Sequence, residues 1–258
     1  MNSDLTQIPP QGHFATINGI QMYYEVYGAG SPLLLLHGYT GSSLQWRPYS
    51  SAFAQHFQVI VPDLRGHGRS LDPTNQFTLA QAAQDIFALL AHLGIDRCRG
   101  IGCSAGGCIL QYMSTAQPTR LEAMILESCG SYFSAQTRSA LYAWAKSDDA
   151  ALALNQHHHL HGLRQMRTLV NQLPQIIEDY GAHPPDVAKF TAQTLIVLGD
   201  RDPLYPVQMA VELYTAIANA ELWIIPGEGH ACIVEKPDKY AAPFIDTALT
   251  FLSLSDRL

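Results

Sequence analysis

A serine between two glycines is the residue in this chain best placed to do chemistry. Ser104 stands in R-G-I-G-C-S-A-G-G-C-I-L-Q, residues 99–111, flanked by Gly102 and Gly106. An apolar, β-favouring run leads in and an apolar helical run leads out, which reads as strand, sharp turn and helix with the serine at the apex. Such a turn strains the backbone and lifts the hydroxyl clear of a sheet. Side chains at 102 and 106 would collide where strand and helix pass, so bare backbone fits there. A hydroxyl is a weak nucleophile until a base takes its proton, and an imidazole, titrating near about 6.5, suits that task. A buried carboxylate must then hold the imidazole in one tautomer. His230 in G-E-G-H (227–230) supplies a base, and Asp200 and Asp202 in G-D-R-D-P (199–203) supply carboxylates, with Glu127 as a further candidate. Acyl transfer is the chemistry such a set performs.

These residues must be brought together by the elements around them. Two β-like runs, 13–18 and 21–27, meet at Asn18-Gly19, a strong hairpin signal. An all-apolar run near residues 33–37, and largely apolar ones near 57–63, 98–103, 122–128, 194–200 and 221–227, read as strands of a parallel sheet covered on both faces. Helical spacing appears over 44–56, 78–93, 107–116, 207–218 and 238–253, with Thr78 as a start cap and Gly94 as a stop. Ser104, the 199–203 turn and the 227–230 turn all follow the C-terminal ends of predicted strands, hence one sheet edge. Between 131 and 190 the alternation stops and only helical runs remain, interrupted at Pro174 and Pro184-Pro185. A segment of roughly sixty residues is too long for a plain loop, and it reads as a cap over that edge.

Composition narrows the class. With 258 residues, 47% hydrophobic and 14% charged, the chain can bury a large core. A formal net charge of −7 disfavours nucleic acid and anionic membrane surfaces as partners. The first ten residues lack a basic start and an apolar run, and no stretch is long enough to span a bilayer, so the expectation is a cytoplasmic protein. The five cysteines (98, 103, 108, 129 and 232) lack C-x-x-C spacing and read as reduced core residues.

The chain resembles the α/β-hydrolases over nearly its whole length, on H-G-Y-T-G (37–41), D-L-R-G-H-G-R-S (63–70), G-C-S-A-G-G (102–107), G-D-R-D-P-L-Y-P (199–206) and G-E-G-H. The order Ser, Asp, His is that of this scaffold. The resemblance implies an α/β fold, a mostly parallel doubly wound sheet with a helical cap insertion, the core being 1–130 and 191–258 and the cap 131–190. It implies Ser104 as nucleophile, Asp202 as acid and His230 as base, with the backbone N–H groups of Tyr39 and Ala105 as oxyanion hole. Asp200 then braces its loop. Cys103 departs from the commoner histidine before the serine, and Ala105 from the commoner methionine after it.

The expected activity is hydrolysis of a small, largely apolar carboxylic ester, without metal or organic cofactor, by a chain similar to small capped bacterial esterases and enol-lactone hydrolases. A serine nucleophile disfavours the aspartate branch, which includes epoxide hydrolases. Three alternatives stay open: a C–C bond hydrolase of the meta-cleavage type, a cofactor-free perhydrolase, and a ligand receptor without turnover. Gly38, Trp46, Cys103 and Trp144 are candidate pocket residues. Arg65 and His67 read as structural. The run His157-His158-His159-Leu160-His161 reads as solvated or pocket-lining, because adjacent helical residues cannot all face one ion. Oligomeric state is left open, with a homodimer as one option.

Overall fold

A computed structural model describes residues 11–153 and 155–254. The N-terminal decapeptide, on which the reading of a missing secretory signal rests, lies outside the described residues. The strands are β1 (Gln11–Ile17), β2 (Ile20–Tyr27), β3 (Pro32–Leu36), β4 (Gln58–Pro62), β5 (Cys98–Cys103), β6 (Leu121–Glu127), β7 (Gln193–Gly199) and β8 (Ala220–Ile225). They form one eight-stranded sheet in the order β1-β2-β4-β3-β5-β6-β7-β8. The β1–β2 and β2–β4 pairs are antiparallel and all others parallel. At the hairpin, Asn18 and Gly19 both take positive φ, 44° and 84°, the conformation that matches the twist of paired strands.

The helices in chain order are α1 (Arg47–Phe53), α2 (Leu79–His92), α3 (Ala105–Ala116), α4 (Ala135–Ala145), α5 (Asp149–Ala153), α6 (Gly162–Val170), α7 (Leu173–Ala182), α8 (Val207–Ala216), α9 (Cys232–Glu235) and α10 (Pro237–Leu254). Strand side chains alternate between two cores. Leu34, Leu36 and Ile60 pack beneath α2, α3 and α8. Leu33, Leu35, Val59 and Val61 pack beneath α1, α9 and α10. Leu33 to Leu36 are fully buried, each worth about 1.5–3 kcal/mol over an exposed side chain. The doubly wound architecture expected from the alternation is the one observed. Thr78 Oγ1 accepts from the Gln81 N–H at 3.0 Å and starts α2, and Gly94 closes it at φ 69°.

Between β6 and β7 the described residues hold helices and no strand. This segment is tied to the core by polar contacts. Tyr39 Oη donates to the Leu169 carbonyl at 2.7 Å, and the Leu160 N–H donates to the Gly68 carbonyl at 3.0 Å. Gln165 Nε2 donates to the Gly66 carbonyl at 2.8 Å. In the histidine run His157 and His161 are exposed, as expected for a solvated stretch, and the two between them depart from it. His159 is buried and its Nδ1 accepts from the Gly68 N–H at 3.1 Å, while His158 Nδ1 pairs with Ser42 Oγ at 3.0 Å. A single 3₁₀ turn, Gln156–His158, lays this stretch along the core, so neither ring lines the cavity described below. No described helix is long and apolar enough to cross a membrane.

Candidate active site

At the end of β5 the chain turns through Ser104, at φ 51° and ψ −114°, directly into α3. The turn needs its glycines because backbones touch. A Cβ on Gly102 would lie closer than 3.0 Å to the Gly106 backbone, and one on Gly106 equally close to the Leu36 backbone. Gly106 thus seats α3 against β3, a contact beyond the turn itself. The Ser104 N–H donates to the Glu127 carbonyl at 2.8 Å and fixes the apex. Ala105 is the first residue of α3, and the N–H groups of a first helical turn have no carbonyl behind them to bind.

The loops after β7 and β8 carry the other two side chains to this apex. His230 Nδ1 lies 2.8 Å from Asp202 Oδ2, and His230 Nε2 lies 3.1 Å from Ser104 Oγ. The side chain of Asp202 is fully buried. Its other oxygen accepts from the N–H groups of Leu204 and Tyr205, at 2.7 and 3.0 Å. The carboxylate therefore accepts a hydrogen bond from Nδ1–H, Nε2 is left to accept, and the Ser104 hydroxyl donates to it. Tyr205 stacks on the imidazole with ring centres 5.8 Å apart. Asp200 accepts from the Gly227 N–H at 2.6 Å and ties the two loops together. Glu127 is also fully buried, but it accepts from the Ile233 N–H at 2.9 Å and is not hydrogen-bonded to His230. Burial, eased by hydrogen bonds from Cys103 and the Ile233 N–H, raises its carboxyl to about 7.

The loop after β3 is held by its own donors. His37 Nε2 accepts from the Leu64 N–H at 3.0 Å, so the proton sits on Nδ1 and is donated to the Gly38 carbonyl at 2.8 Å. The Gly41 N–H meets the same oxygen at 3.0 Å. Because the peptide is planar and trans, fixing that carbonyl also fixes the opposed Tyr39 N–H. Gln45 Oε1 accepts the Gly38 N–H at 2.9 Å from the other side. Burial holds His37 neutral, at about 4, which preserves this tautomer. Three residues at the site, Thr40, Ser104 and Ala231, adopt positive φ without being glycine. Strain of about 1–3 kcal/mol each persists only where surroundings overdetermine the backbone, as at sites built for function.

A cavity of about 380 Å³ opens above Ser104 and His230, within the range that holds a small molecule. Its apolar wall comes from Leu79, Phe133, Leu141, Trp144, Leu173 and Ile176, four of them from the helices between β6 and β7. Gly38, Tyr39, Cys103 and Ala105 also line it. Trp46 does not. It lies in the core on the opposite face of the sheet, fully buried and edge-on to Tyr49 at 5.7 Å. The 3₁₀ turn Ser43–Trp46 leads straight into α1 and leaves that ring in the far-side core rather than in the cavity. Sequence reasoning passed over Gln45 and Glu235, which also line the cavity and lie in no periodic pattern. Tyr205 fell inside a matched motif but had no assigned role.

The model described as "Alpha/beta hydrolase family" matches residues 33–242. A soluble epoxide hydrolase of Corynebacterium sp. (strain C12) is 43% identical over 102 residues, 40% of this chain and only 36% of the relative's own length. A protein of Caulobacter sp. (strain K31) named for carbamate hydrolysis, RutD, is 27% identical across 92% of this chain and 97% of its own length. Among solved structures, the enol-lactonase from Burkholderia xenovorans LB400 superposes with a TM-score of 0.78 at 21% identity, covering 93% of this chain and 100% of that one. Est816, described as an N-acyl homoserine lactone degrading enzyme, has a TM-score of 0.69 at 25% identity, covering 90% of this chain and 98% of its own.

Proposed function

The chain belongs to the alpha/beta hydrolase family, and on that premise we propose that it is a serine hydrolase cleaving a carboxylic ester or lactone of a small, largely apolar substrate. Ser104 Oγ attacks the carbonyl carbon while His230 Nε2 takes its proton, and Asp202 steadies the imidazolium that forms. The N–H groups of Tyr39 and Ala105 hold the tetrahedral oxyanion, each worth about 3–4 kcal/mol at the transition state. Collapse expels the alcohol, which takes the proton from Nε2. Water, deprotonated by His230, then attacks the acyl-enzyme and releases the acid. The helices over 131–190 act as a cap that supplies the acyl pocket and excludes solvent.

One observation carries this reading: a single imidazole spans Ser104 Oγ and a fully buried carboxylate, at 3.1 and 2.8 Å. The lactone-degrading neighbour supports it, since a lactone is an internal ester. The epoxide hydrolase resemblance is outweighed by the serine at 104, where that branch uses aspartate. Carbamate hydrolysis is a second reading, favoured by the near full-length match to the Caulobacter relative; its carbonyl is open to the same attack. Turnover of p-nitrophenyl acetate and butyrate by wild type and Ser104→Ala tests the proposal. Saturable hydrolysis lost at least about 10³-fold in the variant supports it. Equal rates in both, or tight small-molecule binding with no turnover, overturn it.

A further inference from the structure

The wall of the cavity is informative in its charges. Among the described residues that line it there is no lysine and no arginine. His230 is committed to Ser104 and Asp202. Three polar side chains of the wall turn back into the protein, Tyr39 Oη to the Leu169 carbonyl, Thr40 Oγ1 to the Tyr39 carbonyl and Gln45 Oε1 to the Gly38 N–H, while Asn155 adds a neutral amide to it. No buried unsatisfied side-chain atom belongs to a lining residue. The one carboxylate, lysine or arginine among the lining residues is Glu235, which is negative. Glu235 closes α9 and is solvent-exposed, and it makes no ion pair among the described residues. Its backbone is held within α9, where the Glu235 N–H donates to the Ala231 carbonyl at 2.9 Å, and α9 is anchored at Ile233 by Glu127 and Tyr49 Oη at 2.9 and 2.6 Å.

We propose that this cavity selects uncharged acyl groups, and that Glu235 is the residue that turns away substrates bearing a carboxylate. The inference deepens the ester-hydrolase reading and rests on it. Moving a carboxylate from water into this cavity removes its hydration and offers no lysine or arginine in return, and the Glu235 charge repels it. Neutral aliphatic acyl chains meet only the apolar wall. Ring-cleaved dienoates, which carry a carboxylate, are poor substrates by the same argument, which sets the C–C hydrolase alternative aside.

The test compares p-nitrophenyl hexanoate with mono-p-nitrophenyl adipate at pH 7.5, a pair matched in chain length and differing in a terminal methyl or carboxylate. Wild type is expected to favour the hexanoate at least about 100-fold in kcat/KM. In Glu235→Lys that ratio falls at least about tenfold, and in Glu235→Gln it falls by less. Parity, or a preference for the adipate, in wild type overturns the inference while leaving the serine chemistry intact. A ratio unmoved in Glu235→Lys removes Glu235 from it. If wild type cleaves neither ester, the ester reading itself fails. Calorimetric binding of both esters to Ser104→Ala then decides the charge preference alone: tighter hexanoate sustains it, and tighter adipate overturns it.

Discussion

Asp202 accepts two backbone N–H groups with one oxygen and the His230 ring with the other. An asparagine there keeps the shape and can present its amide to Nδ1, which favours the wrong tautomer. Asp202→Asn is expected to lower kcat on p-nitrophenyl butyrate by about 10³–10⁴-fold with little change in KM; a loss below tenfold contradicts the assigned role. Glu127 lies close by and behaves differently. Its carboxyl, raised by burial to about 7, stays protonated in the folded chain while the unfolded chain ionises it from about 4.3 upward. Stability from this group is present at low pH and is lost as pH rises through that window. Glu127→Gln should therefore gain in Tm over wild type as pH moves from 5 to 8, and a flat difference refutes the assignment. The choice of Asp202 over Asp200 came from the resemblance, since both follow the same strand. That Ser104, the 199–203 turn and His230 share one sheet edge was legible in the sequence, because each follows a buried strand whose end the chain pattern marks. Gln45 was not, since its hydrogen bond to Gly38 depends on how the intervening turn folds back.

Two contacts between elements stand out for test. Gly106 lets the first turn of α3 lie on the last residue of β3. Gly106→Ala must push those backbones apart, and a loss of about 1–3 kcal/mol is expected from the urea midpoint. The second contact is the histidine seam where the inserted helices meet the loops after β3 and β4. His67 sits between His37 and His159, with ring centres 5.3 and 6.1 Å away. Burial and the neighbouring rings hold His159 down at about 3 and His158 at about 4. These groups are neutral when folded and take protons when unfolded below about 6.5. The seam is therefore at full strength above that pH and weakens as pH falls from about 6.5 towards 4. Hydrogen exchange at the Gly68 and Leu160 amides should accelerate between pH 7 and 5 after correction for intrinsic rates, and His159→Gln should blunt the change. Exchange that stays constant argues against the seam as a pH-sensitive joint.

Over the whole molecule, the cavity exists only because two layers meet. Its floor is the sheet edge with Ser104, and much of its roof is Leu141, Trp144, Leu173 and Ile176. Trp144 also touches Tyr39 edge-on at 6.3 Å, so it couples the roof to the loop after β3. Trp144→Ala enlarges the chamber, and the chain-length optimum on p-nitrophenyl esters is expected to shift to longer acyl groups, read as kcat/KM from acetate to decanoate. An unshifted optimum places Trp144 outside the acyl path.

The sequence by itself determined the strand and helix alternation, the strained serine turn and the sheet edge at which three distant side chains assemble. Those features are local: burial on both faces makes a strand uniformly apolar, and close backbone approach demands glycine at its own position. Tertiary structure alone decided which way Trp46 faces, that His159 is buried against Gly68 and His158 half-buried on Ser42, and which residues wall the cavity. Each of these depends on the docking of segments far apart in the chain, and a side chain's neighbours there are set by packing between elements, not by the period within one.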